Sequence, residues 1–369
     1  MTEGTAPESS ARTVARIDLS AVRHNVRALL ARAGGARLMA VVKADAYGHG
    51  AVPVARAALD AGADSLAVVT AEEGAELREA GVEAPILVFT DLLPEKLALA
   101  AAHGLTVTAH SLRSARCIAA VPGLRAHLKV NTGMNRWGVA PEEVGAARRV
   151  LGDRLAGVYT HLASADSDPD ATHRQLDVFD GVLKAHPFGG MPVHAANSAA
   201  TLWHPRARHD LVRPGVAVYG LHPGGDAGDP CEEGLRPVMS LVSYVAAVRR
   251  LEPGDGVSYG LTFRAEEPVY AATVPCGYAE GYRRTLSGRG AALVRGRRRP
   301  VLGRVTMDAI VLGVDEEVEV GDEVVLLGEQ DAGRVGAEEL GRLAGTINYE
   351  ITTGVDPRRV ERLYLGREG

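Results

Sequence analysis

Between residues 38 and 221 short apolar runs recur, each followed by a stretch of Ala, Leu, Arg and Glu with helical spacing. The runs lie at 38–42, 65–69, 85–89, 105–109, 126–130, 155–159, 192–196 and 211–219. Strands alternating with helices in this number predict an α/β fold, a (β/α)₈ TIM-type barrel, with a doubly wound open sheet as the structural competitor.

Beyond Gly234 the pattern changes to short strands separated by Gly, Pro and Asp turns, at 238–251, 269–274, 291–295, 300–305, 309–314, 318–320 and 323–327. One helix is expected there, at 336–343. This texture predicts a separate, mostly-β C-terminal domain joined to the barrel through the loop at 223–230. The boundaries that follow are a disordered tail at 1–13, a barrel domain at 14–237 and a β-rich domain at 238–369. The tail is polar and has no apolar signal region.

Composition narrows the classes. With 369 residues, 46% of them hydrophobic, the chain can bury more than one sizeable core. A net charge of −5 and a pI of about 6.2 argue against nucleic acid or an anionic membrane as a partner. No apolar run approaches the roughly 18 residues of a membrane span. The arginines between Arg283 and Arg299 alternate with Gly and Val and face Asp315-Glu316-Glu317, so a solvated, charge-paired face is expected. Cys117, Cys231 and Cys276, with no C-x-x-C, indicate a reducing compartment without structural zinc, the cytoplasm by default.

The chemistry concentrates at the end of the first run. There an apolar strand gives way to Lys43-Ala44-Asp45-Ala46-Tyr47-Gly48-His49-Gly50. The chain has four lysines (Lys43, Lys96, Lys129, Lys184) among 41 basic residues, the other 37 being arginine. Where a plain positive charge suffices, this protein uses Arg. A lysine on an apolar strand therefore suggests chemistry that a guanidinium cannot do, losing a proton and forming a Schiff base with a carbonyl such as that of pyridoxal 5'-phosphate (PLP).

In a barrel, functional residues gather where strands give way to loops. The first strand leads to Lys43 and Tyr47, the fifth to Lys129, Asn131 and Arg136, and the sixth to His161. The seventh leads to Asn197 and Ser198, and the eighth carries Arg213, Pro214, Gly215 and Val216. Small residues, hydroxyls and backbone N–H groups after strands seven and eight are what a phosphate requires. His161, Asp166, Asp168, Asp170 and His173 offer an alternative reading as a metal cluster. The Asp, Ser and Pro at 164–170 fit loop and N-cap chemistry better, so no metal is expected.

The segment at 41–50, Val-Val-Lys-Ala-Asp-Ala-Tyr-Gly-His-Gly, resembles the cofactor-lysine motif of the alanine racemases, PLP enzymes that interconvert L- and D-alanine. Segments at 129–138, 194–200, 213–221, 257–263, 277–284, 304–308 and 347–350 are similar to other parts of that family, so the resemblance spans residues 14 to 365. It implies that Lys43 carries PLP and that Tyr47, Ser198, Gly215, Val216 and Tyr349 hold its phosphate, with Asn197 beside them. It places Arg213 at the pyridine nitrogen and Arg136 at the phenol oxygen and the substrate carboxylate. Tyr278 and the backbone of Met307 fall near the substrate, and His161 joins the hydrogen bonds behind the second base.

Racemisation removes a proton from one face of Cα and returns one to the other, so two opposed groups are expected. By the resemblance Lys43 acts on the D-enantiomer and Tyr259 on the L-enantiomer, whereas Tyr259 taken alone would read as a strand tyrosine packed on a core. An arginine cannot accept a proton from the pyridine ring, which leaves the ring a weaker electron sink and disfavours transamination. The resemblance further implies a homodimer whose active sites are shared, Tyr259 coming from the partner subunit, and a carbamylated Lys129 that orients Arg136. The product would be D-alanine for cell-wall peptide, the peptidoglycan. Asn131 stands where the family more often has Asp, Trp137 where a smaller residue is common and Thr306 where Cys is frequent. These positions bear on substrate preference, with serine or another amino acid as the alternative to alanine. The rival functions are a fold-type III PLP decarboxylase of basic amino acids, which would place an acid at the pyridine nitrogen, and a vitamin B6 carrier, which would lack the β domain.

Overall fold

The structure is a computed structural model, and it describes residues 11–90 and 93–366. The tail expected at 1–13 lies outside the described residues as far as residue 10. Thr13 is docked rather than loose: it is buried, and its hydroxyl donates to the Pro275 carbonyl at 3.0 Å.

Eight parallel strands make one sheet in the order of the chain: Arg37–Val41, Ser65–Val68, Ile86–Val88, Thr106–Ala109, Arg125–Lys129, Leu155–Tyr159, Val193–His194 and Leu211–Val212. The eighth pairs with the first, Val212 opposite Leu38. Between the seventh and eighth the backbone bonds are Asp210 N–H to Val193 O at 3.1 Å and Arg213 N–H to Ala196 O at 2.9 Å. The sheet thus closes into the expected barrel. Leu66, Ala67 and Val68 are wholly buried, as expected of a strand covered on both faces.

Helix starts follow from local chemistry. Thr70 and Glu73 form a reciprocal capping box on Ala71–Glu79, and Asp18 accepts from the N–H groups of Ser20 and Ala21 at the head of Leu19–Arg32. Asp168 does the same for Pro169–Ala185, its carboxylate accepting from Ala171 N–H at 2.9 Å. That is the N-cap reading of the aspartate-rich segment.

Two expectations about the barrel change. The run at 211–219 is a strand only at Leu211–Val212 and then turns into the 3₁₀ segment Val216–Tyr219, because Pro214 has no N–H to give the ladder. The boundary at 14 also moves. Val14–Asp18 pairs antiparallel with Met239–Tyr244 and parallel with Glu361–Leu365, so the first described strand belongs to the second domain's sheet. The barrel domain begins at the helix Leu19–Arg32, and the chain crosses between the two units at both ends.

That second sheet has the path Arg297–Pro300, Ala291–Val294, Glu323–Gln330, Met239–Tyr244, Val14–Asp18, Glu361–Leu365, with Gly333–Val335 added beside Glu323–Gln330. A three-stranded sheet of Ala247–Leu251, Val269–Val274 and Ile310–Val314 packs with it. The strand expected at 238–251 is therefore two, divided at Val245 and Ala246, whose N–H groups bond to Asp322 O and Thr273 O in different sheets. Residues 300–305 and 318–320 form no strand beyond Pro300. Val320 is 66% exposed in a turn and Gly303 has φ +67°. The arginine-rich hairpin is charge-paired as expected: Asp315 accepts from Arg297 at 3.1 Å and Arg299 at 2.7 Å, and Arg298 pairs with Glu339.

Candidate active site

Lys43 stands two residues past the end of the first barrel strand and opens an unusual turn. Ala44, Asp45, Ala46 and Tyr47 are all left-handed, with φ of 51°, 52°, 53° and 54°. For residues other than glycine that conformation costs roughly 1–2 kcal/mol each, so contacts from outside must hold it. One Glu73 oxygen accepts from Ala44 N–H at 2.7 Å, the other from Val69 N–H at 2.7 Å and Thr70 N–H at 3.1 Å. His49 Nδ1 lies 2.9 Å from Ala46 O and 3.0 Å from Tyr47 O, so it carries the proton and donates to both. The glycines are required by close approach: a Cβ on Gly48 would stand 2.3 Å from Thr352 O, and one on Gly50 2.0 Å from the Tyr364 hydroxyl. Nothing in Ala-Asp-Ala-Tyr announces this turn.

The turn aims Lys43 and Tyr47 into a cavity of about 510 Å³ at the C-terminal ends of the barrel strands. Lys129, Arg136, His161, Asn197, Ser198, Arg213, Gly215, Val216 and Tyr349 line it too. Its cations are Lys43, Lys129, Arg136 and Arg213, and Asp166 is the one carboxylate among its described lining residues. Such a mouth suits ligands carrying phosphate and carboxylate. Burial lowers the Lys43 pKa, and Arg136 lowers it further while Glu73 opposes both. Its amine thus gives up a proton more readily than a surface lysine does.

At the corner made by strands seven and eight, Asn197 caps the short helix Ser198–Trp203 by accepting from Ala200 N–H at 3.0 Å. Ser198 Oγ accepts from Gly215 N–H at 2.9 Å and Ala217 N–H at 3.3 Å. A Cβ on Gly215 would meet the Tyr47 hydroxyl at 2.4 Å, so only glycine lets that hydroxyl rest on this backbone. Tyr349 approaches from the other side, its ring 6.3 Å from that of Tyr47 and its hydroxyl donating to Pro223 O at 3.0 Å. Hydroxyls, backbone amides and a helix start converge here as a phosphate would need.

Arg213 is buried without a carboxylate. Its guanidinium donates to Thr160 O at 2.8 Å, Ala195 O at 3.0 Å and His194 Nδ1 at 2.9 Å, and lies 3.4 Å from His161 Nδ1. Burial brings its pKa down to about 10, with Tyr159 opposing, which leaves it cationic at neutral pH. An arginine can only donate, so the proton of His194 sits on Nε2 and passes the bond on to His127 Nδ1 at 2.8 Å. Burial first, then the Arg213 charge, holds His161 and His194 well below the usual histidine range and His127 at about 3. His194 stacks flat on Tyr159, centroids 4.8 Å apart. Nothing local in the sequence marks Tyr159 or His194 for this role, although one closes the sixth run and the other begins the segment at 194–200.

Lys129 is nearly buried, with Nζ 5.6 Å from the Tyr159 ring centroid and 5.7 Å from that of Trp137. Burial lowers its pKa to about 8, and Arg136, Arg213 and Lys43 all push the same way. Asn131 turns back on its own loop, its amide oxygen accepting from Gly133 N–H at 3.2 Å and Asn135 N–H at 3.0 Å. Its amide nitrogen donates to Asn135 Oδ1 at 2.9 Å, a bond an aspartate could not make.

Tyr259, Tyr278 and Met307 are elsewhere. They are 74%, 41% and 55% exposed on the second domain and do not line the cavity of their own chain. The core-packing reading of Tyr259 is thereby overturned: it sits in a 3₁₀ turn after Ser258, where φ is +62°. The three share one surface region. Ser258 Oγ donates to Arg304 O at 2.7 Å, Tyr278 N–H to Thr306 O at 3.0 Å and Ala279 N–H to Met307 O at 2.8 Å.

Two family models match the chain: alanine racemase, N-terminal domain, over residues 17–223, and alanine racemase, C-terminal domain, over residues 238–364. The alanine racemase of Symbiobacterium thermophilum is 44% identical across 96% of this chain and 97% of its own. Among solved structures, that of alanine racemase from D-cycloserine producing Streptomyces lavendulae superposes with a TM-score of 0.90 at 41% identity, covering 98% of this chain and 99% of that one. The enzyme from E. faecalis gives 0.91 at 36% identity, covering 98% and 100%. Carrying both domains and this likeness over nearly its whole length, the chain belongs to the alanine racemase family, isomerases that act on an amino acid.

Proposed function

We propose that the protein is a cytoplasmic homodimer that interconverts L- and D-alanine with PLP, at a site assembled from two chains. The observation that carries this reading is the presence, in one cavity, of a lysine with a lowered pKa and a buried arginine without an acidic partner. A decarboxylase of the same fold type would be expected to set an acid against the pyridine nitrogen; Arg213, held by neutral acceptors, speaks against it. A non-catalytic carrier would lack the second domain, whose sheets are present. Among the described residues no helix is long and apolar enough to cross a membrane, and no group of three potential metal ligands occurs.

The cavity residues fit the cofactor. Tyr47, Ser198, Gly215, Val216 and Tyr349 would hold its phosphate with Asn197 fixing the helix start, Lys43 its carbonyl carbon, Arg213 its ring nitrogen and Arg136 its phenol oxygen. When bound, PLP supplies an electron sink for the pair left at Cα of the amino acid. The chain supplies position and protons. Arg136 orients the substrate carboxylate, Lys43 Nζ exchanges the proton on the face from which D-alanine reacts, and the hydroxyl of Tyr259 of the partner subunit serves the other face. Tyr278 and the Met307 backbone of the partner close over the substrate, and His161 would meet Tyr259 from behind. D-alanine for cell-wall peptide is the expected use.

A panel of L-amino acids incubated with protein and PLP tests this. D-alanine should form with a kcat/KM at least about tenfold above that for serine and for larger side chains. Carbon dioxide release from lysine or ornithine without racemisation would overturn the reading.

Lys129 would complete the arrangement as a carbamate: its neutral amine attacks carbon dioxide, loses a proton and becomes an anion facing Arg136. A pKa of about 8 makes the neutral amine available near physiological pH. Electron density should show the three extra atoms on Nζ, and a bare ammonium at high resolution in several crystal forms would refute the modification.

A further inference from the structure

We infer that the last described strand of the chain is part of the cofactor site, because the ion pair between Asp45 and Arg362 is the outer clasp of the left-handed turn that aims Tyr47 at the phosphate. The inference rests on the PLP reading above and assigns a role to residues outside the cavity lining. Glu361–Leu365 lies at the edge of the second domain's sheet, parallel to Val14–Asp18. From it Arg362 reaches across to the barrel and meets Asp45, Nη1 to Oδ2, at 2.5 Å.

The pair is fixed at both ends. The Arg362 side chain is 13% exposed and its Nε is buried without a hydrogen bond, so the guanidinium's placement depends on the carboxylate. The Asp45 carboxylate is 41% exposed, so Arg362 is the enclosed end of a pair that water screens in part, and its hold on the turn adds to that of the hydrogen bonds. The other carboxylate oxygen of Asp45 accepts from Ala51 N–H at 2.7 Å, at the start of the helix Ala51–Asp60. The Asp45 carbonyl accepts from Gly50 N–H at 2.9 Å and Gly48 N–H at 3.1 Å. One side chain thus ties the middle of the strained turn to the following helix and to the second domain.

The same strand presses on the turn a second time. The Tyr364 hydroxyl occupies the place of a Cβ on Gly50, and Thr352 O that of a Cβ on Gly48. The turn is gripped by Glu73 from the barrel and by the C-terminal elements from outside. Four successive non-glycine residues relax toward negative φ when released, and relaxation there would swing the Tyr47 hydroxyl off Gly215. Arg362 is therefore a positioning residue that sets how firmly the phosphate is held.

The test compares wild type, Arg362→Gln, Arg362→Lys, Asp45→Asn and the Asp45→Asn/Arg362→Gln double variant, each loaded with PLP. The readout is the rate at which the visible absorbance of bound PLP is lost on dilution into PLP-free buffer. Arg362→Gln and Asp45→Asn should each release PLP about tenfold faster, with the double variant no faster than either, as expected when two changes remove one shared contact. Arg362→Lys should recover most of the retention, and added PLP should recover alanine turnover in Arg362→Gln. If Arg362→Gln does not fold, Asp45→Asn, which keeps an acceptor for Ala51, carries the comparison. Variants that melt earlier yet release PLP at the wild-type rate would show a merely structural pair and overturn the clasp. Wild-type protein that takes up no PLP would overturn the cofactor reading and the clasp together; wild type that holds PLP no better than Arg362→Gln would overturn the clasp alone.

Discussion

Lys43→Arg is expected to abolish both the visible absorption of bound PLP and racemisation, the latter by at least about 10⁴-fold. The substitution keeps the positive charge at a mouth that already holds Lys129, Arg136 and Arg213, so the apoprotein should fold and melt as the wild type does. What it removes is the capacity to lose a proton. A guanidinium stays protonated near neutral pH and forms no bond to the cofactor's carbonyl carbon, whereas burial and Arg136 bring the Lys43 amine toward its neutral form. The control is internal, because Lys129 is the other lysine lining the cavity. A Lys43→Arg protein that stays yellow through a borohydride-reducible bond would place the cofactor on Lys129 or another amine and reverse the assignment.

The barrel was legible because short apolar runs, such as Leu66 to Val68 covered on both faces, recur between helical stretches, even though Thr106–Ala109 and Arg125–Lys129 carry polar residues. The cavity followed from a positional rule: chemistry-bearing residues just past strand ends share one mouth, and Lys43, Arg136, Ser198 and Arg213 do so. What escaped was set by partners far away in sequence. Val14–Asp18 is short and interrupted by Arg16, and it is a strand because residues near 240 and 362 flank it. The left-handed turn is built from residues that ordinarily avoid positive φ; Glu73, Arg362 and two close-packed glycines impose it. His194 and Tyr159 look like core residues locally and become support for Arg213 only when strands six, seven and eight lie side by side. For Tyr259 the sequence alone could not separate a packed tyrosine from an exposed one, since the distinction lies in a turn with positive φ at Ser258 and Gly260.

Tyr259 is the residue on which a site shared between two subunits turns. It is 74% exposed on the second domain, apart from the cavity that holds Lys43, yet the proposed chemistry needs the two on opposite faces of one substrate. A two-fold dimer reconciles these facts by lending Tyr259 to the partner's barrel. Lys43→Ala and Tyr259→Phe should then each be nearly inactive alone. Co-expressed or refolded together, they should form mixed dimers with one intact site and one doubly defective site. Random mixing makes half of the dimers mixed, each with one working site of two, so activity should return to about a quarter of wild type. The measurement is alanine racemisation by the mixture, with native mass spectrometry to count the mixed dimers. Activity rising in proportion to the mixed species is the predicted result. A mixture as inactive as its parents, with mixed dimers present in the expected share, would contradict the shared site and leave Tyr259 acting in its own subunit or not at all.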